Sequence, residues 1–224
     1  MLWITFLIGL VLTLWAQYRV RSNFKRWSKV EARSGLTGAE VARRILDMNG
    51  LSHVPVEPVR GVLSDHYDPT VRAVRLSEPV YSSSSIAAIS VAAHECGHAL
   101  QHKEDYGALV LRHRMVPVLN FTSGLAPWLL MAGIFLRATG LTLVGLIFFS
   151  LTVLFHLVTL PVEFNASARA KEIMIRQGFV TPGEETGVNR VLGAAAFTYV
   201  AGALVALLEL LRFILIFLGQ QNDD

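Results

Sequence analysis

Apolar residues fall into four long runs that are separated by polar segments. The first run covers residues 2–16, and the later three cover residues 115–136, 141–162 and 191–218. A helix needs about 20 apolar residues to cross the hydrocarbon core of a bilayer. The later three runs reach that length, whereas the first is short for a span. The pattern therefore predicts a mainly α-helical integral membrane protein that crosses a lipid bilayer several times.

The first run is expected to be a retained membrane anchor, residues 1–18, rather than a cleaved signal peptide. A signal peptide carries positive charge before its apolar core, and no Lys or Arg precedes this one. Cytoplasmic flanks of membrane segments are enriched in Lys and Arg. The chain after residue 18 is therefore expected in the cytoplasm, because basic residues follow the run closely: Arg19, Arg21, Lys25, Arg26 and Lys29.

The remaining boundaries follow from the same runs. Residues 19–114 form the main cytoplasmic segment. Residues 115–162 form a membrane helical hairpin, and Arg137 is the only basic residue of its short turn. Residues 163–190 return to the cytoplasm, and residues 191–224 form the last membrane helix and a polar tail. Basic residues in both cytoplasmic segments agree with this topology.

Composition supports the membrane class and argues against nucleic-acid binding. The 224 residues are 53% hydrophobic and only 17% charged, which is too apolar for an ordinary soluble domain. The net charge of +3 reflects topology, and no basic patch interleaved with aromatic residues indicates RNA or DNA as a partner. The one cysteine, Cys96, excludes an intrachain disulfide.

The main polar segment shows local signals for a helix and a small β element. Thr37 and Glu40 form a T-x-x-E capping box that begins a helix. Residues 59–63 and 71–76 are rich in β-branched side chains and predict a small β-hairpin or sheet.

An H-E-x-x-H motif lies further along this segment, at His94, Glu95 and His98. Serines 82–85 offer N-cap hydroxyls, and the apolar residues 86–93 then predict the first half of a buried helix. Residues four apart share one helix face, so His94 and His98 can hold one Zn²⁺ ion, with Glu95 beside it. The alternative is two histidines and an acid on a polar face, but polar groups in so apolar a helix are costly without a partner. The motif therefore predicts the hydrolytic core of a zinc metallopeptidase.

A catalytic zinc site needs a third protein ligand. The metzincin spacing fails because positions 101 and 104 are Gln and Glu. His102 continues the i, i+4 series, although one helix face does not easily surround a tetrahedral ion. Glu163 is the better candidate, because it follows the third apolar run and the hairpin returns it to the side that carries His94.

At these residues the chain resembles the YugP-like bacterial membrane zinc metallopeptidases, and more distantly the HtpX and CAAX-processing membrane peptidases. The matching segments cover nearly the whole chain and are Asp65-His66-Tyr67-Asp68-Pro69, Val74-Arg75-Leu76-Ser77, Ser85-Ile86-Ala87-Ala88, the run from His94 to Gln101, and Pro161-Val162-Glu163-Phe164. The resemblance implies zinc bound by His94, His98 and Glu163, with Glu95 as the base. It also implies the plasma (inner) membrane of a bacterium, and the distribution of Lys and Arg predicts that the active site faces the cytoplasm. The distant group usually has Asp four residues after the ligand glutamate; Ser167 stands here, which puts a carboxylate partner for a ligand histidine in doubt.

The predicted function is a membrane-embedded zinc endopeptidase of the glutamate-zincin type, acting on membrane-associated polypeptides. Zinc polarises the scissile carbonyl and lowers the pKa of its water, and Glu95 takes that proton. Residues 72–76 are the candidate strand for holding an extended substrate. One alternative is a non-catalytic, zinc-containing membrane scaffold or chaperone-like partner. Another is an intramembrane site-2-type protease, which residues 86–100 are too short and too polar at their flanks to favour.

Four other side chains are candidates for contacts at the site. His66, Tyr67 and Tyr199 are considered for substrate or oxyanion contacts, and Arg169 for pairing with an acid near the site. Structural roles in a turn or in packing compete with each of the first three. The patterns leave the oligomeric state open.

Overall fold

The computed structural model describes residues 2–222, which fold into helices and one small sheet. The helices are α1 (Leu2–Trp27), α2 (Gly38–Met48), α3 (Glu78–Tyr81), α4 (Ile86–Lys103), α5 (Gly107–Phe135), α6 (Thr139–Arg176) and α7 (Glu185–Asn222). The strands are β1 (Val56–Val59), β2 (His66–Asp68) and β3 (Ala73–Ser77). This confirms the predicted class, a mainly helical membrane protein with a small β element.

Three helices are long and apolar enough to cross a membrane: α5, α6 and residues Glu185–Gln221 of α7. They contain the three long apolar runs, apart from Leu136 just after α5, so the prediction of three helices long enough to span is confirmed. The first run lies in α1, which is not among the three when the described residues are searched. The anchor at residues 1–18 stays a prediction, and Met1 lies outside the described residues.

The chain divides into two compact units. An apolar unit contains the described parts of residues 1–16, 107–161 and 198–224. A polar unit contains residues 17–106 and 162–197, and with them the H-E-x-x-H motif.

Within the apolar unit, two glycines bring α5 and α6 close together. A Cβ on Gly133 would lie 2.5 Å from the backbone nitrogen of Thr142, and one on Gly145 would lie 2.8 Å from Leu130 Cγ. Small residues at such crossings allow membrane helices to pack backbone against backbone. The pair therefore forms a helical hairpin, with Arg137 in its turn at φ 55°.

The sheet of the polar unit is larger than the predicted hairpin. β3 is its central strand, parallel to β1 and antiparallel to β2. The predicted strand at residues 59–63 is wrong beyond Val59, because Gly61 at φ 115° and Leu63 at φ 59° end the extended conformation. The third strand, β2, comes from residues that lie between the two predicted strands.

The central position of β3 also contradicts its predicted role as a substrate-holding strand. Its two edges pair with β1 and β2, so its backbone cannot add an extended peptide. The predicted start of this strand is also too early, because Arg72 has a φ of 54° and extended backbone begins at Ala73.

The core of the polar unit forms where α2 packs against α4. Thr37 and Glu40 form the predicted capping box at the start of α2, and Ser85 Oγ accepts from the backbone N–H of Ala88 at the start of α4. Cys96 is fully buried in this interface, where its thiol donates to the carbonyl oxygen of Ala42 at 3.6 Å. The opposite face of α4 is thereby left to carry the histidines.

Candidate metal centre

Three side chains that can bind a metal converge between α4 and α6. His94 and His98 lie on α4 and Glu163 lies on α6, and their ligand atoms are all within 4.8 Å of one another. Glu163 Oε2 is 3.2 Å from His94 Nε2 and 3.5 Å from His98 Nε2. Ligand atoms about 2.0–2.1 Å from a tetrahedral zinc are separated by about 3.3–3.4 Å. The two distances from Glu163 are close to this separation, and two imidazoles with one carboxylate fit zinc in their chemistry.

Glycine at position 97 permits this convergence. A Cβ on Gly97 would lie 2.7 Å from the carbonyl oxygen of Ala166 and 3.1 Å from its Cα. Any larger residue would push α6 away from α4. The backbone contact thus places Glu163, three residues before Ala166, over the two histidines.

A buried glutamine orients the His98 ring. His98 Nδ1 lies 3.0 Å from Gln101 Oε1, and the Gln101 amide donates to Val162 O at 2.8 Å and to Asn165 Oδ1 at 2.9 Å. Because the amide nitrogen is committed to α6, the amide oxygen is left to accept from Nδ1–H, and His98 Nε2 is free to face the metal. Gln101 is fully buried, so this arrangement is protected from water.

A serine occupies the corresponding place beside His94. Ser167 Oγ is 3.1 Å from His94 Nδ1, which leaves His94 Nε2 toward Glu163. The departure from Asp noted at this position therefore changes the kind of partner, from a carboxylate to a hydroxyl, while keeping a partner for the ring.

Arg169 extends the His98 network to the surface of the polar unit. Its Nε donates to Asn165 Oδ1 at 2.8 Å, and its Nη2 forms an ion pair with Glu104 Oε2 at 2.7 Å. The hydrogen bond from Arg169 holds the pKa of the Glu104 carboxyl below its usual value.

Glu95 is buried beside the histidines, with 8% of its surface exposed. Burial disfavours the charged form of His98, but the hydrogen bond to Glu163 and the charge of Glu95 together raise the pKa of His98. The Glu95 carboxylate is therefore close enough to this imidazole to act on it through its charge.

The remaining sequence candidates lie elsewhere. His66 is exposed, with Nδ1 2.8 Å from Ser64 O, and the Tyr67 hydroxyl is 2.8 Å from His102 Nδ1. Among the described residues, the metal-ligand cluster contains Glu163 and not His102. Tyr199 is half-buried on α7 in the apolar unit, and its role stays a prediction.

Sequence reasoning missed Gln101 and Asn165, as well as the role of Gly97. One signal was available for Gln101, which is three residues after His98 and so adjacent to it on the helix. Nothing local marked Asn165, because its role depends on contact between two distant helices.

Comparison with known proteins identifies the class. Residues 2–218 match the family model described as "Putative neutral zinc metallopeptidase", and the chain belongs to this family. It is also 63% identical, over 216 residues and 96% of both chains, to the "Putative membrane protease YugP" of Bacillus subtilis (strain 168). No solved structure matches the chain significantly. The resemblance to YugP-like metallopeptidases is thereby confirmed.

Proposed function

We propose that the protein is a zinc-dependent endopeptidase of the glutamate-zincin type, with His94, His98 and Glu163 as ligands and Glu95 as the base. The observation that carries this proposal is the cluster of ligand atoms within 4.8 Å, with the carboxylate of Glu95 beside it. Family membership supports the reaction class.

Glu95 is the group that moves protons in this proposal. Its carboxylate accepts a proton from the attacking water and later donates it to the nitrogen of the leaving amine. Zinc bound at the three ligands would supply Lewis acidity that polarises the scissile carbonyl and acidifies the water. Gln101 and Ser167 keep the two imidazoles oriented, and the low exposure of Glu95 limits competing contact with bulk water.

The proposed substrate is an extended, membrane-associated polypeptide. With β3 paired on both sides, β2 is the edge strand that packs beside α4. Its unpaired side can hold a peptide backbone by hydrogen bonds. The oxyanion and substrate roles of His66, Tyr67 and Tyr199 remain part of this proposal.

The proposed location is the bacterial plasma (inner) membrane, with the site facing the cytoplasm. The distribution of Lys and Arg around the apolar runs supports this orientation. A reporter fused after residue 114 should report the cytoplasm, and one inserted near Arg137 should report the outer side. Reversed signals would place the site outside the cell.

Two variants test the mechanism. Glu95→Gln should retain zinc while peptide cleavage falls by about 10² or more, because it removes only the proton acceptor. Glu163→Gln should lose zinc and activity together, because it weakens a ligand. Metal content and cleavage are measured on the same preparations. Unchanged cleavage by Glu95→Gln contradicts the mechanism, and unchanged zinc in Glu163→Gln contradicts the third ligand.

The same measurements address the alternatives. A zinc-containing scaffold needs no base, so its function would survive Glu95→Gln. A site-2-type protease requires a metal helix that spans the bilayer, and α4 is not among the helices of spanning length and composition in the described chain.

A further inference from the structure

A polar cavity of about 260 Å³ lies beside α4 in the polar unit, apart from the metal ligands. Ala99, His102 and Lys103 of α4 form one wall, and Tyr67 and Arg72 belong to the facing side. None of these side chains has a part in the proton transfers proposed above.

The cavity lies along the face of α4 that carries Glu95. Ala99 is four residues after Glu95, and His102 is four residues after His98, so each is one turn further along the same side. At 1.5 Å per residue, His102 is about 10 Å along the helix from Glu95. An extended peptide covers this distance in about three residues. A substrate whose scissile bond is at Glu95 can therefore reach the cavity with a nearby group.

Positive charge predominates in the lining. Arg72 and Lys103 contribute two permanent cations, and His53 and His102 contribute imidazoles. Asp105 is the carboxylate among the lining residues. An anionic group is therefore favoured over a cationic one.

Several of these side chains are held in place before any ligand arrives. The hydroxyl of Tyr67 is 2.8 Å from His102 Nδ1, and the two rings meet edge to face with centroids 5.7 Å apart. The ammonium group of Lys103 donates to the backbone carbonyl of Asn49 at the rim. Preorganised donors lose less entropy when a ligand binds.

Backbone strain marks the same place. Arg72 lines the cavity with a φ of 54°, in the left-handed region that costs about 1–3 kcal/mol for residues other than glycine. The φ of Asp105, 50°, belongs to the ordinary ending of α4, where the N–H of Tyr106 donates to the carbonyl oxygen of Gln101. Residues in this conformation cluster at active sites and ligand-binding sites. At Arg72 this conformation turns the chain directly before β3, and Arg72 is one of the residues that line the cavity.

Resting on the peptidase function proposed above, we propose that this cavity is a substrate subsite for a carboxylate, with Arg72 and Lys103 as the residues that select it. Leu51, Val54 and Ala99 give the cavity apolar walls that suit the stem of such a group. The carboxylate comes from an acidic side chain about three residues from the scissile bond, or from a free chain terminus at that distance.

Peptide binding tests the proposal without relying on turnover. The full-length Glu95→Gln protein in lipid nanodiscs is titrated with fluorescein-labelled, C-terminally amidated decapeptides of alanine, serine and leucine. One glutamate is moved through successive positions, and each peptide has a glutamine twin. A further pair consists of one glutamine-containing peptide with a free C-terminal carboxylate and the same peptide with a C-terminal amide. Glutamate at one position, or the free acid, should bind about tenfold more tightly than its twin, the scale of one charge-assisted hydrogen bond.

Charge-removing variants connect that preference to the cavity. Arg72→Gln should reduce the preference, and Arg72→Gln with Lys103→Gln should abolish it while the glutamine twins bind as before. Arg60→Gln, a change at an exposed basic residue outside the lining, should retain it. If the double variant binds neither twin, the proposal is judged on whether Arg72→Gln alone reduces the preference for the glutamate peptide.

Two results would overturn the proposal: equal binding of all twins, or a preference that survives both Arg72→Gln and the double variant. Because binding is measured with Glu95 replaced, failure of the proposed hydrolysis is seen separately, in the cleavage assay of the wild type.

Discussion

His94 and His98 share one face of α4, yet the side chains that orient their rings differ in kind. The His98 ring is hydrogen-bonded to the side chain of Gln101, whose amide nitrogen also donates to Val162 O and Asn165 Oδ1 of α6. His94 contacts the single hydroxyl of Ser167. Both supports connect α4 to α6, but the first is an amide held at two points of α6, whereas the second is a single hydroxyl of that helix. Equivalent positions in a motif therefore need not contribute equally to metal affinity.

Replacing Gln101 should have the largest effect. Gln101→Leu removes the acceptor for His98 Nδ1 and leaves Val162 O and Asn165 without this donor inside the protein. Zinc affinity should fall by about 100-fold, the upper range for losing a residue that orients a ligand. Competition with a fluorescent chelator measures the change, and Gln177→Leu at an exposed position is the control. An affinity within twofold of wild type would show that Gln101 does not support the centre.

Gly97→Ala acts on both histidines at once. The added methyl must displace the Ala166 backbone, and overpacking of this kind costs about 1–3 kcal/mol. Zinc affinity should fall by roughly 30-fold if about 2 kcal/mol of this cost is relieved by separating α6 from α4.

The matched control is Gly193→Ala, where a Cβ meets none of the described atoms within 4 Å. That change should leave zinc affinity unaltered and raise thermal stability slightly, because alanine is the better helix residue. Similar results for the two glycines would mean that the close approach at Gly97 is not required.

Ser167 should matter less than Gln101. Ser167→Ala removes one neutral hydrogen bond, so zinc affinity should fall about fivefold. Ser167→Thr keeps the hydroxyl and should behave like the wild type in the same chelator assay. A loss as large as that of Gln101→Leu would remove the distinction between the two histidines.

The smallest effect concerns a carboxylate remote from the motif. Burial favours the neutral form of Glu184, but hydrogen bonds from the backbone and hydroxyl of Thr181 and from the backbone of Arg33 lower its pKa. A lowered pKa stabilises the fold above the ordinary glutamate value of about 4.3, and this stabilisation is lost as the pH falls through the folded value.

Glu184→Gln should therefore lower the unfolding temperature by a few degrees at pH 6 and by less near pH 3.5, with zinc affinity unchanged at neutral pH. Thermal unfolding of the purified protein at several pH values measures this, with Glu185→Gln as the control. A difference from wild type that does not shrink in acid would contradict the assigned role of the carboxylate.

Local patterns predicted the parts of the fold that depend on neighbours along the chain. These parts are the three helices long enough to cross a membrane, the capping box of α2, and the helical spacing of His94 and His98. The sheet was predicted poorly because strand pairing joins distant residues, and because Gly61 and Leu63 break a stretch that is β-branched in composition.

The centre shows the same division. The motif identified the two histidines and Glu95. Glu163 was predicted as a ligand because the membrane hairpin was expected to bring the chain back to the side that carries His94. The supports contributed from α6, Asn165 and Ser167, depend on how closely that helix approaches α4. That approach is set by a missing side chain at Gly97, which composition alone does not reveal.

The burial of Cys96 also has a consequence for how the protein meets oxidants. Its thiol lies midway in sequence between the two histidines, yet it is fully enclosed in the contact of α4 with α2. Oxidation and alkylation require access to the sulfur. Peroxide and maleimides therefore reach this sulfur only when α4 separates from α2, so the reactivity of Cys96 reports the opening of that contact.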